Sequence, residues 1–226
     1  MAEGLNSSEL SPSATLSYAS RRNGPFLNKR ALALMKFEEI TSNQQELATF
    51  EARGRTLWGG FPIPAGYATQ GRTFALYRDG AMIGGFMLIL EGPLRTFAGI
   101  SEETRQRLLR NKRPEEFLEA YAVWLDPAEK SKRTRVRFWA KATYEALHSG
   151  RKYMILGYNG SSRGLRRFWE RAGFSLVERI DVVSDRFNSH NSVEIVCART
   201  TNILTGYMRY CLRTLFPDSW SRMQVI

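Results

Sequence analysis

The sequence has few cysteines, the residues that bind metals such as zinc through sulfur and form covalent cross-links. Among its 226 residues there are only two cysteines, Cys197 and Cys211, and their separation fits neither a metal site nor a disulfide framework. We therefore expect a protein without a bound metal that works in the reducing environment of the cytoplasm.

Long apolar segments are also missing. No apolar run approaches the ~18–20 residues that a membrane-spanning helix needs, and the first residues lack the basic stretch and apolar core of a secretory signal. Hydrophobic residues still make up 43% of the chain and aromatic residues 12%, which excludes a chain that is disordered throughout. We expect a soluble, cytoplasmic protein without a transmembrane segment.

Acidic residues are scarce relative to basic ones. The chain carries 33 Lys and Arg residues against 22 Asp and Glu residues, which gives a net charge of +11. A field of this sign favours acidic partners: nucleic acid, an acidic carrier protein, an anionic membrane surface or a phosphate-bearing cofactor.

The composition divides the chain into three parts. Residues 1–24 are rich in Ser, Asn and Gly without a sustained hydrophobic period, which predicts a flexible N-terminal arm. Residues 25–200 predict one folded domain of ordinary size. Residues 201–226 predict a C-terminal amphipathic helix that packs on the domain or extends it.

Hydrophobic periodicity and turn residues predict an alternation of strands and helices along the domain. Strands are predicted at 31–37, 72–78, 81–90, 117–125, 151–159, 174–180 and 193–200, and helices at 43–57, 101–113, 131–149, 163–172 and 202–216. Asp79-Gly80 is the strongest hairpin signal, and 184–192 predicts a polar loop. The alternation in the second half favours an α/β fold with a mixed, partly parallel sheet and helices on its faces.

The stretch from Phe168 to Phe174 joins a helix to a strand abruptly. It reads Phe-Trp-Glu-Arg-Ala-Gly-Phe, and Gly173 can take the left-handed conformation just past the helix end at low steric cost. With the order of elements from Glu119 to Arg179, this stretch resembles the GNAT superfamily of N-acyltransferases, in which a helix commonly ends in an aromatic residue, an acidic residue, two more positions and Gly-Phe. The resemblance, over roughly 31–200, implies a GNAT-like twisted sheet and a helix packed beside the arm of an acyl donor.

The resemblance also implies where the donor binds. The donor loop of the family usually carries glycines, whereas the equivalent stretch here, 129–135, has none. Donor phosphates are then expected to bind to basic side chains and to amides of the first helical turn. Trp169 stands where the family often has a tyrosine that acts as general acid. The residues predicted to bind the donor are Val123, Trp124, Leu125, Lys130, Lys132, Arg133, Thr134, Arg135, Ser162 and Trp169.

The predicted catalytic residues lie on the strand at 117–125. Glu119 would accept the proton of the attacking amine directly or through water, with Tyr121 beside it. The backbone of Val123 to Leu125, splayed from its neighbouring strand as the family's geometry implies, would contact the developing oxyanion. The glutamate also gives a weak similarity to acyl-homoserine-lactone synthases and N-acyl amino acid synthases, which take acyl groups from an acyl carrier protein. The expected donor is therefore an acyl-CoA or acyl carrier protein thioester, and the acceptor a small amine.

Other interpretations of the same residues remain open. Glu119 could be a salt-bridged strand-end residue, Tyr121 and Trp124 could serve strand packing, and the basic run from Lys130 to Arg137 could be a solvated helix start. At the level of function, the alternatives are a nucleic-acid-directed protein on the same fold and a catalytically inactive interaction module. No helix-turn-helix, zinc-finger or RNP-type pattern supports the former.

Overall fold

The computed structural model describes residues 35–58, 63–64, 66–184 and 189–215. The predicted N-terminal arm at 1–24 lies outside these residues, as does the part of the predicted C-terminal helix beyond 215.

In this part of the chain, seven strands form one sheet. They are β1 Met35–Glu39, β2 Gly71–Arg78, β3 Ala81–Ile89, β4 Phe117–Leu125, β5 Tyr153–Asn159, β6 Ser175–Ser184 and β7 Ser189–Arg199. Their order across the sheet is β1-β2-β3-β4-β5-β7-β6, and every neighbouring pair is antiparallel except β4 and β5. This confirms the predicted α/β class with a mixed, partly parallel sheet.

Six α-helices connect or flank these strands in the described ranges. They are α1 Gln44–Trp58, α2 Arg95–Gly99, α3 Glu102–Leu109, α4 Lys132–His148, α5 Arg163–Arg171 and α6 Thr200–Leu215, with short 3-10 helices at Tyr67–Gln70 and Pro114–Glu116. A serine precedes each of α3, α4 and α5, and its hydroxyl accepts a hydrogen bond from an amide of the first turn. These caps satisfy amides that would otherwise lack partners, which explains why the three helices begin where they do.

The sheet separates two apolar layers. The layer on the side of α4, α5 and α6 contains, among others, Phe86, Leu118, Phe138, Trp169 and Ile203. The layer on the side of α1, α2 and α3 contains, among others, Phe50, Ile89, Phe97, Phe117 and Ile155. Neighbouring residues of one strand thus belong to different layers, which is the period-two pattern that predicted these strands.

Two predicted turns have the expected backbone. Asp79 and Gly80, between β2 and β3, have φ values of 52° and 78°, as a two-residue hairpin turn with both central residues at positive φ requires. Gly173 has a φ of 89° between α5 and β6. Its amide donates to the carbonyl of Glu170, and the amide of Phe174 donates to the carbonyl of Trp169, which ends the helix.

The prediction of a polar loop at 184–192 is wrong at both ends of that range, because strands extend into it. β6 continues to Ser184 and β7 begins at Ser189, and these two residues are paired in the ladder. A hairpin at the edge of a sheet is held by backbone hydrogen bonds between its own strands, so it does not need the apolar alternation on which the prediction relied.

Candidate functional site

The central strand β4 contains a bulge. In the β3–β4 ladder, Met87 pairs with Tyr121 and the next pair joins Gly85 to Trp124, so β4 holds one residue more than β3 between them. Ala122, inside the bulge, has a φ of 53°, a conformation that costs a residue other than glycine about 1–3 kcal/mol. Backbone strain of this kind clusters at functional sites, so this part of β4 is a candidate functional site.

The parallel pairing of β4 with β5 is short. It joins 117–119 to 153–155 and ends at the pair Glu119–Ile155, although both strands continue for several residues. The strands therefore separate beyond Glu119 and leave a wedge between their carboxyl ends. This is the splay that the resemblance implied, and it leaves backbone amides of β4 facing a gap instead of a neighbouring strand.

A cavity of about 510 Å³ lies beside the wedge, on the face covered by α4, α5 and α6. Ala120 and Val123 of β4 and Met154 of β5 form its floor, and Trp139 and Trp169 stand in its walls. A volume of this size with mainly apolar walls is typical of small-molecule sites.

Helix α6 supplies the outer wall of the cavity. Ile203, Gly206, Tyr207 and Tyr210 line it, and the hydroxyl of Tyr207 donates a hydrogen bond of 3.4 Å to the carbonyl of Val136 on α4. A Cβ atom at Gly206 would lie 2.5 Å from the backbone of Ala172 at the end of α5. The missing side chain at Gly206 therefore allows α6 to approach α5 closely enough to cover the cavity.

On the opposite face of the sheet, Glu119 is the centre of a buried hydrogen-bond network. Its side chain is only 2% exposed, and its carboxylate accepts hydrogen bonds of 2.5 Å from the hydroxyls of Tyr67 and Thr96. The amide of Thr96 lies 3.4 Å from the same carboxylate. Burial, and then the negative charge of Glu119, raise the pKa of Tyr67, so this phenol stays protonated and keeps donating to Glu119.

Tyr121 lies next to this network and is less buried than Glu119. Its ring meets the ring of Tyr67 edge to face at 5.2 Å, and its hydroxyl accepts a hydrogen bond of 2.9 Å from Arg95. Burial raises the pKa of Tyr121, although the guanidinium of Arg95 opposes that shift. The two predicted catalytic residues are thus neighbours, on the face of β4 that points away from the cavity.

Solved structures share this arrangement of strands and helices. FeeM, an N-acyl amino acid synthase from uncultured soil microbes, matches with a TM-score of 0.57 at 14% identity, over 77% of this chain and 95% of FeeM. The ribosomal-protein-S18-alanine N-acetyltransferase from Escherichia coli matches with a TM-score of 0.51 at 12% identity, over 74% of this chain and 94% of that one. The chain has the GNAT fold. No protein-family model and no curated protein matches the sequence.

In this GNAT fold, internal contacts hold the segment that leads into α4. Glu129 is 7% exposed, forms an ion pair with Arg78, and accepts a hydrogen bond of 2.7 Å from the amide of Ser131. Thr134 is buried, and its hydroxyl accepts a hydrogen bond of 2.5 Å from Arg78. At the start of α4, the Ser131 amide therefore already has a hydrogen-bond partner, the carboxylate of Glu129. The hydroxyl of Thr134 is also already hydrogen-bonded, to Arg78.

The basic side chains predicted to bind the donor lie on the surface around this segment. They are the exposed Lys130, Lys132, Arg133 and Arg135, and the guanidinium of Arg135 also donates to the carbonyl of Glu129. They surround the start of α4 with positive charge, as the sequence indicated.

The other predicted donor-binding residues fall in different places. Val123 and Trp169 line the cavity, whereas Trp124 packs against Phe50 on the opposite face with ring centroids 5.5 Å apart. Leu125 is half-buried against the layer on the cavity side. The hydroxyl of Ser162 caps α5 by accepting from the amide of Leu165.

Sequence reasoning missed the partners of the predicted residues. Tyr67 and Thr96, which bind Glu119, lie 52 and 23 residues away from it in the chain. The sequence predicts Arg78 only as part of a hairpin strand, and not as the partner of Glu129 and Thr134. No local pattern marks these residues, because the fold alone brings them to their partners.

Within 35–58, 63–64, 66–184 and 189–215, no cluster of three His, Cys, Asp or Glu side chains could hold a metal ion. In the same ranges, each helix is too short or too polar to cross a membrane.

Proposed function

We propose that this protein is an N-acyltransferase that moves an acyl group from a thioester, carried on coenzyme A or on an acyl carrier protein, to a small amine. The main support is the separation of β4 and β5 beyond Glu119. An apolar cavity lies on one side of the wedge, and a hydroxyl and carboxylate network lies on the other. A donor and an acceptor can therefore approach one point from opposite faces of the sheet.

The reaction needs a neutral amine and stabilisation of the charge that develops on the carbonyl oxygen. The amine nitrogen attacks the thioester carbon, a C–N bond forms, the C–S bond breaks, and the thiolate leaves. Amides of β4 between Val123 and Leu125, which lie beyond the last pair with β5, would donate to the oxyanion. Fixed donors of this kind contribute about 3–4 kcal/mol in enzymes where one of them has been removed.

The proton released by the amine would pass to Glu119. Because Glu119 is enclosed by Tyr67 and Thr96, we place a hydroxyl or a water molecule between the amine and the carboxylate. Tyr67 is suited to this task, since its hydroxyl donates to Glu119 while its oxygen accepts from the amide of Arg95 at 3.1 Å. Tyr121, the more accessible of the two tyrosines, would orient the amine at the edge of the network.

The donor would approach through the cavity side. The exposed basic residues at the start of α4 provide attraction for an acidic donor, whether the phosphates of coenzyme A or the surface of an acidic carrier protein. Because a carboxylate of the protein already occupies the Ser131 amide, we assign these side chains to long-range attraction of the donor and docking of a carrier surface.

The test is a transfer assay with defined donors. Acetyl, medium-chain and long-chain acyl groups would be offered on coenzyme A and on acyl carrier protein, with pooled amines as acceptors, and amide products would be followed by mass spectrometry. We expect amide formation with at least one donor series. A parent protein that forms no amide with any donor would overturn the proposal and favour an interaction module.

A further inference from the structure

The mouth of the cavity is lined by arginines from two helices. Arg167 and Arg171 of α5 and Arg209 and Arg213 of α6 belong to its lining, whereas Phe86, Leu88 and Met154 at its floor are buried apolar residues. Glu170 is the acidic residue of this lining. The site is therefore apolar at depth and strongly cationic at its opening.

Three of these arginines lack an acidic partner among the described residues. Arg167, Arg171 and Arg209 are exposed, and none takes part in an ion pair or side-chain hydrogen bond there. The adjacent Arg166 differs, since it turns inward and binds the buried carboxylate of Glu194. Like charges that converge on one opening repel each other, so their arrangement favours a site completed by an anion.

The start of α4 is a poorer place for that anion. The buried carboxylate of Glu129 forms an ion pair with Arg78 there and accepts a hydrogen bond from the amide of Ser131. A phosphate could use this amide only by displacing a carboxylate that is already buried and paired, which is costly. Among the described residues, Arg167, Arg171 and Arg209 face no such competition from an ion pair.

We propose that the α5–α6 mouth binds the phosphate of the donor's phosphopantetheine arm, with the arm running through the cavity to the thioester at the wedge. This inference rests on the proposed acyl transfer and specifies how its donor is held. Guanidinium groups bind phosphate through short, charge-assisted and often bidentate hydrogen bonds. The apolar walls, including Trp139 and Trp169, would contact the arm itself.

The experiment compares two ligands that differ only in the phosphate, 4′-phosphopantetheine and pantetheine, by isothermal titration calorimetry. The parent should bind the phosphorylated ligand roughly 10- to 100-fold more tightly, as expected for charge-assisted hydrogen bonds. The double variant Arg167→Glu/Arg209→Glu should lose this preference. Its affinity for pantetheine should equal that of the parent, which also shows that the cavity has kept its shape.

A matched double variant at the start of α4, Lys132→Glu/Arg133→Glu, tests the alternative site with the same change in charge. It should retain most of the preference for the phosphorylated ligand. The inference is wrong if the parent binds both ligands equally or not at all, or if the α4 variant loses the preference while the α5–α6 variant keeps it.

Two further measurements separate the sources of the phosphate and the two proposals. Titrations with coenzyme A and with phosphopantetheinylated carrier protein show which source binds more tightly, and both should weaken in the α5–α6 variant. Binding is measured without turnover, so a phosphate preference in a protein that forms no amide would refute the proposed function alone. If the parent protein transfers acyl groups but the α5–α6 variant keeps the preference for the phosphorylated ligand, this inference alone would be refuted.

Discussion

At the scale of single residues, substitution of Glu119 tests whether the buried hydrogen-bond network takes part in catalysis. Glu119→Gln keeps the shape of the side chain but removes the charge that accepts the proton, so acyl transfer should fall by about 10²- to 10⁴-fold. Glu119→Asp should be intermediate because the carboxylate retracts by one methylene. The measurement is kcat/KM with the best donor from the transfer assay, with circular dichroism to confirm the fold.

A second substitution separates proton transfer from packing in this network. Tyr67→Phe retains the ring contact with Tyr121 and removes only the hydroxyl that donates to Glu119. If protons pass through this hydroxyl, the rate should fall in Tyr67→Phe as well. Full turnover by Glu119→Gln would remove Glu119 from catalysis and leave it a structural acceptor for two hydroxyls.

Glu194 is a residue whose charge should affect stability instead of catalysis. Burial by itself would raise the pKa of Glu194, but hydrogen bonds from Arg166, Tyr158 and Arg179 lower it to about 2. An unfolded glutamate has a pKa near 4.3. The stabilisation by ionised Glu194 is therefore fully present above pH ~4.3 and is lost as the pH falls toward about 2.

Glu194→Gln should thus destabilise the protein at neutral pH and remove this part of its acid sensitivity. We expect a loss of about 1–3 kcal/mol, below the usual 3–5 kcal/mol for a broken buried pair because both guanidiniums are partly exposed. The measurement is urea denaturation between pH 3 and pH 7. A difference between variant and parent that stays constant over this range would exclude a titrating role for Glu194.

At the scale of elements, the junction of α5 and β6 depends on one glycine. Gly173→Val forces a β-branched side chain to a φ of 89° and places its Cβ 3.2 Å from the carbonyl oxygen of Asn202 on α6. We expect a loss of about 1–3 kcal/mol from the backbone strain alone. At roughly 2–4 °C per kcal/mol for a chain of this size, calorimetry should detect the lower Tm.

The matched control for that junction is Gly164→Val, within the helix α5 that precedes it. Gly164 has an ordinary φ, and the nearest atom to a Cβ there is the hydroxyl of Ser162 at 4.0 Å. The decrease in Tm caused by Gly164→Val should be much smaller than the decrease caused by Gly173→Val. Equal effects of the two substitutions would show that positive φ at Gly173 is not what matters.

At the scale of the whole molecule, the excess of positive charge should act mainly on association. Reversing Lys132, Arg133 and Arg135 to Glu should weaken binding of an acidic carrier protein at low salt, and the difference should shrink as salt screens the charges. Because these side chains are exposed, the Tm should change little. Binding would be measured by titration at low and high ionic strength.

A variant with the same net charge provides the control for that experiment. Arg107, Arg110 and Arg113 are exposed in and after α3, on the opposite side of the sheet. Their reversal to Glu should leave carrier binding closer to that of the parent. If both triple variants weaken binding equally, overall charge and not the start of α4 attracts the carrier.

The sequence by itself determined the order of the seven strands and of helices α1 and α3 to α6, but not the short α2, together with the mixed α/β class, the hairpin at Asp79-Gly80 and the left-handed Gly173. These features depend on local rules, since periodicity records which face of an element is buried and glycine marks positive φ. Glu119, Val123 and Trp169 could also be located, because a resemblance in the order of elements placed them on the central strand and the helix beside it.

Only the tertiary structure decided how these residues work together. The bulge at Ala122 and the early end of the β4–β5 ladder are properties of the pairing between neighbouring strands, which no single segment encodes. The partners of Glu119 and Glu129 come from distant segments that meet through the sheet order. The outer wall of the cavity depends on the close approach of α6 to α5 at Gly206, and periodicity describes each helix alone and not the contact between them.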